Sequence, residues 1–437
     1  MKKYNINATD ENIMTAIKNN DYDRAGAIKH FIEGLDLIDT NMFISLDAKW
    51  GEGKTFYIRQ IEITLKYLSR KILRQDISKL EPIFADSILK SIELKNTYLP
   101  IYYNAWLYDC HKDALMSLLY VLVKECGKYV SPVMNSKKIG EKLLSILSPF
   151  SLSVPFVEIS GNFENIKENL RGGDVLEEIK TAEDVRDTVK QILDEIITES
   201  AQKLIIFIDE LDRCRPNFAI ETLERIKHYF DDDRIIFVVS VNKEQLIHTI
   251  SKYYGDSFDS TAYLNKFFDV NIYLPEISQS LRQNNILKMN MEQSFLKRIV
   301  KELGEYYNLS LRDTIIFHQN VEATSKHYYD DYLSQGLILS MFVPIILVLD
   351  IVSQTKKYEF LEGKGDIFKE LCENISILRK GICYFGNGRV DEESYQIGYK
   401  EIYHVYKSTF TKGKIYDGKL DIARDLKAIC IKVCNGN

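Results

Sequence analysis

Residues 41–57, NMFISLDAKWGEGKTFY, constrain this chain more than any other stretch, because they read as a buried strand, a glycine-rich turn and the start of a helix. Residues 42–46 are largely apolar, with Thr40 and Asn41 before them and Asp47 after them, the punctuation of a short buried strand. The turn is Ala48, Lys49, Trp50, Gly51, Glu52, Gly53, Lys54 and Thr55, with Phe56 following in the helix. Gly51 and Gly53 let the backbone come close to a ligand where a Cβ would block it. The N–H groups of such a turn and of the helix N-terminus converge on one anionic spot. This is the spacing of a phosphate-binding loop, with Ala48 standing where a glycine is usual. In such a loop Lys54 reaches the β- and γ-phosphates of a nucleotide, and the Thr55 hydroxyl ligates magnesium. Ile58, Ile61, Leu65 and Leu68 continue downstream at helical spacing. The alternative is an ordinary glycine-rich turn between a strand and a helix, and other parts of the chain must decide.

A second landmark decides it. Residues 203–216, KLIIFIDELDRCRP, contain five consecutive apolar positions ending in Asp209 and Glu210. A run buried on both faces marks a central parallel strand. Two acids at its C-terminal end supply what nucleotide hydrolysis needs opposite a phosphate loop. Asp209 would hold magnesium through water, and Glu210 would polarise the attacking water. A buried strand ending in a solvated acidic turn is the competing reading, and it weakens once the upstream loop is counted.

Other strands are expected at residues 98–103, 234–241 and 269–274, and helical patterns separate them. Alternating strands and helices imply a parallel sheet with the ligand at the strands' C-terminal ends. The strand at 234–241 ends in Ser240, Val241 and Asn242. In folds with an extra strand between the loop strand and the acidic strand, this position senses the γ-phosphate or orients water. Ser240 and Asn242 alternate faces, so one of them points into the site; Asn242 is preferred, and it also suits a helix N-cap before Lys243. Before the first strand, residues 24–37 form an amphipathic helix that Asp21 or Asp23 is placed to cap. Residues 131–201 loosen in composition and read as an insertion, closing with a helix at 182–199.

Composition excludes several classes. The net charge is −6, from 57 basic against 63 acidic residues, so the surface is not a basic track for nucleic acid. Seven scattered cysteines form no paired cluster, which fits a reducing, cytosolic setting; Cys430 and Cys434 stand one helical turn apart without nearby histidines, a weak case for zinc. The polar start MKKYNINATDENIM lacks the apolar core of a signal peptide. Residues 143–157 and 336–349 are apolar but fall short of the roughly 20 residues a spanning helix needs. The second reads as a buried core helix, and the first leaves open a peripheral contact with a membrane or a partner. Glu178, Ile179 and Lys180 faintly suggest a nuclease strand end, but a solvated helix face suits them better. The basic spots Arg379-Lys380-Gly381 and Lys412-Gly413-Lys414 could meet phosphate, with solvated loops as the default reading.

Taken together, the motifs resemble the KAP family of P-loop NTPases. The resemblance rests on Trp50-Gly51-Glu52-Gly53-Lys54-Thr55, on a strand ending Asn104-Ala105-Trp106, and on Asp209-Glu210-Leu211-Asp212-Arg213-Cys214 with Pro216 beyond. Residues 263–268, YLNKFF, add a further match, and both tryptophans of the chain lie in these motifs. It covers residues 21–275 and extends, less fully, to Leu311-Arg312-Asp313. Glu210 departs from the second aspartate usual in the family. The resemblance implies an α/β P-loop NTPase three-layer sandwich of the additional-strand division, with a central parallel sheet, over residues 1–275. A mainly helical C-terminal domain would follow over 276–437.

What the resemblance implies for function is a magnesium-dependent ATPase working as a switch or assembly factor, with anti-phage defence among the family's roles. Its partners would be ATP, a protein or a second copy of itself, and peripherally a membrane; the acidic composition argues against nucleic acid as main ligand, a local basic patch aside. Lys266 or Arg312 is a candidate cation for the transferring phosphate, each otherwise a surface or structural charge. Trp50 is expected to shield the loop, Trp106 to pack the sheet's end, and Asp212 with Arg213 to form an ion pair bracing the acidic turn. A scaffold that binds nucleotide without turning it over is the alternative.

Overall fold

The computed structural model describes residues 7–111, 113–129, six helical positions between 187 and 197, 201–278, 281–282, 294–325, 333–364 and 366–412. The expected insertion lies almost wholly outside the described residues, as do the 143–157 stretch, Glu178-Ile179-Lys180, Cys430 and Cys434. Two compact units divide the described residues, Asn7–Pro275 and the part of the chain from Glu276 onward.

The first unit is built on five parallel strands: β1 (Met42–Asp47), β2 (Tyr98–Asn104), β3 (Lys203–Asp209), β4 (Ile235–Val241) and β5 (Val270–Tyr273). Their order across the sheet is β2-β3-β4-β1-β5. Strand β4 therefore separates β1 from β3, as the additional-strand arrangement requires. Every position of β3 and β4 is buried, which is why both read as unbroken apolar runs. Edge strand β5 is mostly exposed.

Helices cover both faces. The first unit contains α1 (Asp10–Asn19), α2 (Ala25–Leu35), α3 (Lys54–Ile72), α4 (Ala114–Tyr129), α5 (Pro216–Tyr229), α6 (Lys243–Tyr254) and α7 (Ser260–Asn265). The period-two alternation of β1 splits its side chains between two cores. Ile44 and Leu46 join Ile58, Ile61, Leu65 and Leu68 of α3. Phe43 joins the opposite cluster with Leu115, Leu118, Leu119 and Leu122 of α4, and its ring stacks on Phe237 at 4.9 Å. Strand pairing then fixes which residues meet at the C-terminal edge. Asn104 lies opposite Asp209, and Asp47 lies opposite Val241.

Neither Asp21 nor Asp23 caps α2. Its N-cap is Arg24, without a side-chain cap bond. The Asn20 side chain instead bridges the turn, accepting from the Ala25 N–H at 3.0 Å and donating to Asp23 Oδ1 at 3.0 Å.

The second unit is helical: α8 (Ser294–Tyr306), α9 (Leu311–Ser325), α10 (Leu333–Val352), α11 (Gln354–Leu361), α12 (Ile367–Asn374), α13 (Ser376–Phe385) and α14 (Glu392–Lys407). Helix α10 is its core element, with Met341 to Val343 and Ile345 to Leu349 all buried. Arg379-Lys380-Gly381 is not a loop but part of α13, where Arg379 pairs with Glu392 and lies 4.2 Å from the Tyr395 ring centroid. Among the described residues no helix is long and apolar enough to cross a membrane.

Candidate functional site

The loop between β1 and α3 takes the form its glycines allow. Gly51 has φ 85° and Gly53 φ 84°, both left-handed angles that a side chain would strain. The Ala48 N–H bonds Val241 O at 3.2 Å, tying the start of the loop to the end of β4. Lys49 and Trp50 are exposed, whereas Gly51, Glu52, Gly53, Thr55 and Phe56 are half-buried. Lys54 is buried and curls back, donating from Nζ to Ala48 O at 2.5 Å and Lys49 O at 3.2 Å. Burial lowers the pKa of this ammonium, and the carboxylates of Asp212, Asp209, Asp47 and Glu210 oppose that shift.

Asp209 ends β3 at 1% exposure. Burial raises its pKa, against the hydroxyls of Thr55, Ser240 and Tyr102, which favour the charged form. Tyr102 donates to Asp209 Oδ2 at 3.0 Å from the neighbouring strand. The loop threonine and the strand-end aspartate thus meet as oxygen donors on one spot, a set that suits a small hard cation. Thr55, and Asp209 directly or through water, would hold magnesium there, and the metal when bound would draw charge from the phosphate oxygens.

Glu210 follows in the left-handed region at φ 63°, ψ 22°. Its Oε2 is ion-paired with Arg213 Nη1 at 2.5 Å. The Arg213 guanidinium carbon lies 5.6 Å from the ring centroid of Trp106. Asp212 does not pair with Arg213; its carboxylate accepts the Trp50 indole N–H. The two partners expected for each other meet different elements instead, Arg213 meeting Glu210 and Trp106 and Asp212 meeting Trp50. Trp106 does not pack the sheet's end, being 55% exposed in the single helical turn Ala105–Tyr108.

At the end of β4, Asn242 Oδ1 caps α6 by accepting the Gln245 N–H at 3.3 Å. The group facing Asp209 is the Ser240 hydroxyl, fully buried and without a hydrogen bond of good geometry. Asp47 accepts the Lys243 N–H at 2.9 Å and so steadies the same helix start. Lys266 is exposed at the C-cap of α7. Arg312 is exposed in the first turn of α9, in the second unit. Among the described residues of the first unit, Lys266 makes no hydrogen bond or ion pair with the loop.

Sequence reasoning missed Tyr102, Asp47 and Arg24. Arg24 is 4% exposed and donates to Glu52 O at 2.9 Å and Gly53 O at 3.0 Å. Tyr102 sits two residues before Asn104 on the face of β2 that meets Asp209, so strand alternation was the signal for it. Nothing periodic marks Arg24.

A five-stranded parallel sheet in this order, with a glycine-rich loop facing an Asp-Glu strand end, defines a P-loop NTPase domain, a nucleotide-binding class. The model of the KAP family P-loop domain matches residues 12–325, and the chain belongs to that family. The match runs past Pro275 into α9. Among solved structures, a Walker-type ATPase of Pyrococcus abyssi, PABY2304, is 9% identical, with 95% of this chain and 97% of that chain covered at a TM-score of 0.33; so low a score carries no argument. A search of the curated proteins finds no match.

Proposed function

We propose that this chain is a magnesium-dependent ATP hydrolase acting as a switch or assembly factor. One observation carries the reading: Lys54 and Thr55 of the loop after β1 stand beside Asp209 and Glu210 at the end of β3, with β4 between the two strands. Lys54 moves from the loop carbonyls to the β- and γ-phosphates, exchanging two neutral acceptors for charged ones. The loop amides hold the remaining phosphate oxygens. Glu210 accepts a proton from water aligned with the γ-phosphorus, after turning from Arg213. Ser240 borders the same space and suits the sensor role better than Asn242.

Phosphate release by wild type, Lys54→Ala and Glu210→Gln tests this directly. Wild type should turn over, and both variants should lose at least about a hundredfold, the span of one acid–base or electrostatic contribution. Equal rates in all three would sink the assignment. The family resemblance supports anti-phage defence as the setting, measured by whether Glu210→Gln abolishes protection in a plaque assay.

The Arg213–Glu210 ion pair favours a second reading, in which nucleotide stabilises a scaffold and is not turned over. That version shows thermal stabilisation by ATP and magnesium with at most one phosphate released per chain.

A further inference from the structure

We infer that Arg24 is a positioning residue for the nucleotide site: its guanidinium fixes the direction of the amides that face phosphate. The inference rests on the nucleotide-binding reading of the loop. Arg24 belongs to the segment before α2, about thirty residues upstream of its targets, and is nearly fully buried. Its two terminal nitrogens divide between two consecutive carbonyls, Nη2 to Glu52 and Nη1 to Gly53.

Peptide planarity turns that contact into a constraint on the amides. In a trans peptide the carbonyl and the N–H of the next residue point in opposite directions. Holding Glu52 O toward Arg24 sends the Gly53 N–H away from it, and holding Gly53 O does the same for the Lys54 N–H. Gly53 O also accepts the Tyr57 N–H at 3.1 Å, the first turn of α3, so the Lys54 N–H projects beyond the helix N-terminus where an anion approaches. Both peptides flank Gly53, which has no Cβ to resist a flip. A charged fork on both sides of that residue opposes the flip.

The chain keeps Arg24 in place by unusual means. Asn20, Tyr22 and Asp23 have φ of 49°, 61° and 54°, three non-glycine residues in the left-handed region just before it. The Asn20 side chain closes that turn, and the guanidinium carbon lies 5.6 Å from the Tyr57 ring centroid. Strained backbone of this kind persists where surrounding structure over-determines it. Lysine would supply one compact ammonium on a flexible stem in place of the planar fork, and so hold the two carbonyl directions less rigidly.

Binding of ATP, ADP and inorganic pyrophosphate by the full chain, together with steady-state hydrolysis, tests the assignment in wild type, Arg24→Lys and Arg24→Ala. Arg24→Ala should weaken all three ligands ten- to a hundredfold and raise KM by a like factor, with kcat at saturation within about threefold. Arg24→Lys should recover only part of the loss, and millimolar methylguanidinium should restore affinity to Arg24→Ala but not to Arg24→Lys. A purely structural role would lower the melting temperature and leave KM and the rescue flat. Unchanged ligand affinity in a folded Arg24→Ala overturns the inference; should that variant not fold, unchanged affinity in Arg24→Lys does so. Absence of binding by wild type would instead overturn the nucleotide reading itself, and the inference with it.

Discussion

Arg213 and Glu210 form an ion pair at 2.5 Å, so the carboxylate proposed to polarise water is held by a guanidinium three residues along the chain. Both side chains are mostly shielded, at 29% and 13% exposure, so solvent screens the pair less than a surface one. A carboxylate oxygen engaged by arginine is a poorer proton acceptor, which makes the pair a restraint on turnover. Arg213→Ala should therefore raise unstimulated phosphate release about three- to tenfold, with nucleotide affinity unchanged, the partition expected of an effect confined to the chemical step. A fall in kcat would show that Arg213 orients Glu210 for the reaction.

Trp50 joins the phosphate loop to the acidic turn through its indole N–H on Asp212. Asp212 is buried and Trp50 47% exposed, so the bond is half-shielded and worth about 1 kcal/mol. Nucleotide in the proposed site would approach Trp50, and the chain's other tryptophan is Trp106. In a Trp106→Phe background, ATP should shift the remaining tryptophan emission. Adding Asp212→Ala should abolish most of that shift and weaken ATP about fivefold. An emission spectrum indifferent to ATP in the folded protein would separate Trp50 from the nucleotide.

Burial holds the Asp209 carboxyl above its ordinary pKa, which gives a stability prediction with a definite sign. Between the unfolded and the folded pKa the native chain retains a proton that the unfolded chain has released. Stability therefore falls as pH rises through that window, and the penalty is complete above it. Asp209→Asn removes the buried charge while keeping a hydrogen-bonding side chain. It should be more stable than wild type by about 1 kcal/mol at pH 7.5, and the gap should close as pH falls into the carboxylate range. ATP with magnesium should reverse the ranking, because wild type alone then gains full binding energy. Urea titrations at two pH values, with and without the ligands, measure all four states; a less stable Asp209→Asn at pH 7.5 contradicts the assignment.

Contiguous signals were legible in the sequence and contacts between distant segments were not. The loop is a local spacing of glycines, lysine and threonine, and β3 and β4 are unbroken apolar runs, so both survive a reading with no partner in view. Asp212 finding Trp50 depends on where β3 lies relative to β1, with β4 between them, and hydropathy does not encode that order. The same holds for Arg24, whose burial depends on carbonyls of a loop 28 and 29 residues away. The cap of α2 failed for a different reason. Aspartates at positions 21 and 23 match the local preference, but the backbone enters the left-handed region at Asn20, Tyr22 and Asp23, and the Asn20 side chain takes the bridging role.

Helices α13 and α14 cross at Gly398, where an added Cβ would stand 2.0 Å from Ile382 O and 3.0 Å from Gly386 N. Those neighbours are backbone atoms held in or beside α13, so they cannot turn aside as a flexible side chain would. The helices would have to separate, and Ile382, Cys383, Tyr395 and Ile402, all in the core cluster of this unit, would lose contact. Gly398→Ala should cost about 3 kcal/mol, the upper end for overpacking. The described residues of that cluster all lie between Leu296 and Phe410, within the helical unit. ATP affinity measured at 20 °C should accordingly match wild type, while the transition of the helical unit in a thermal melt moves down by several degrees. A loss of ATP binding with the sheet still folded would mean that α13 and α14 feed the nucleotide site, and that the helical unit takes part in the reaction.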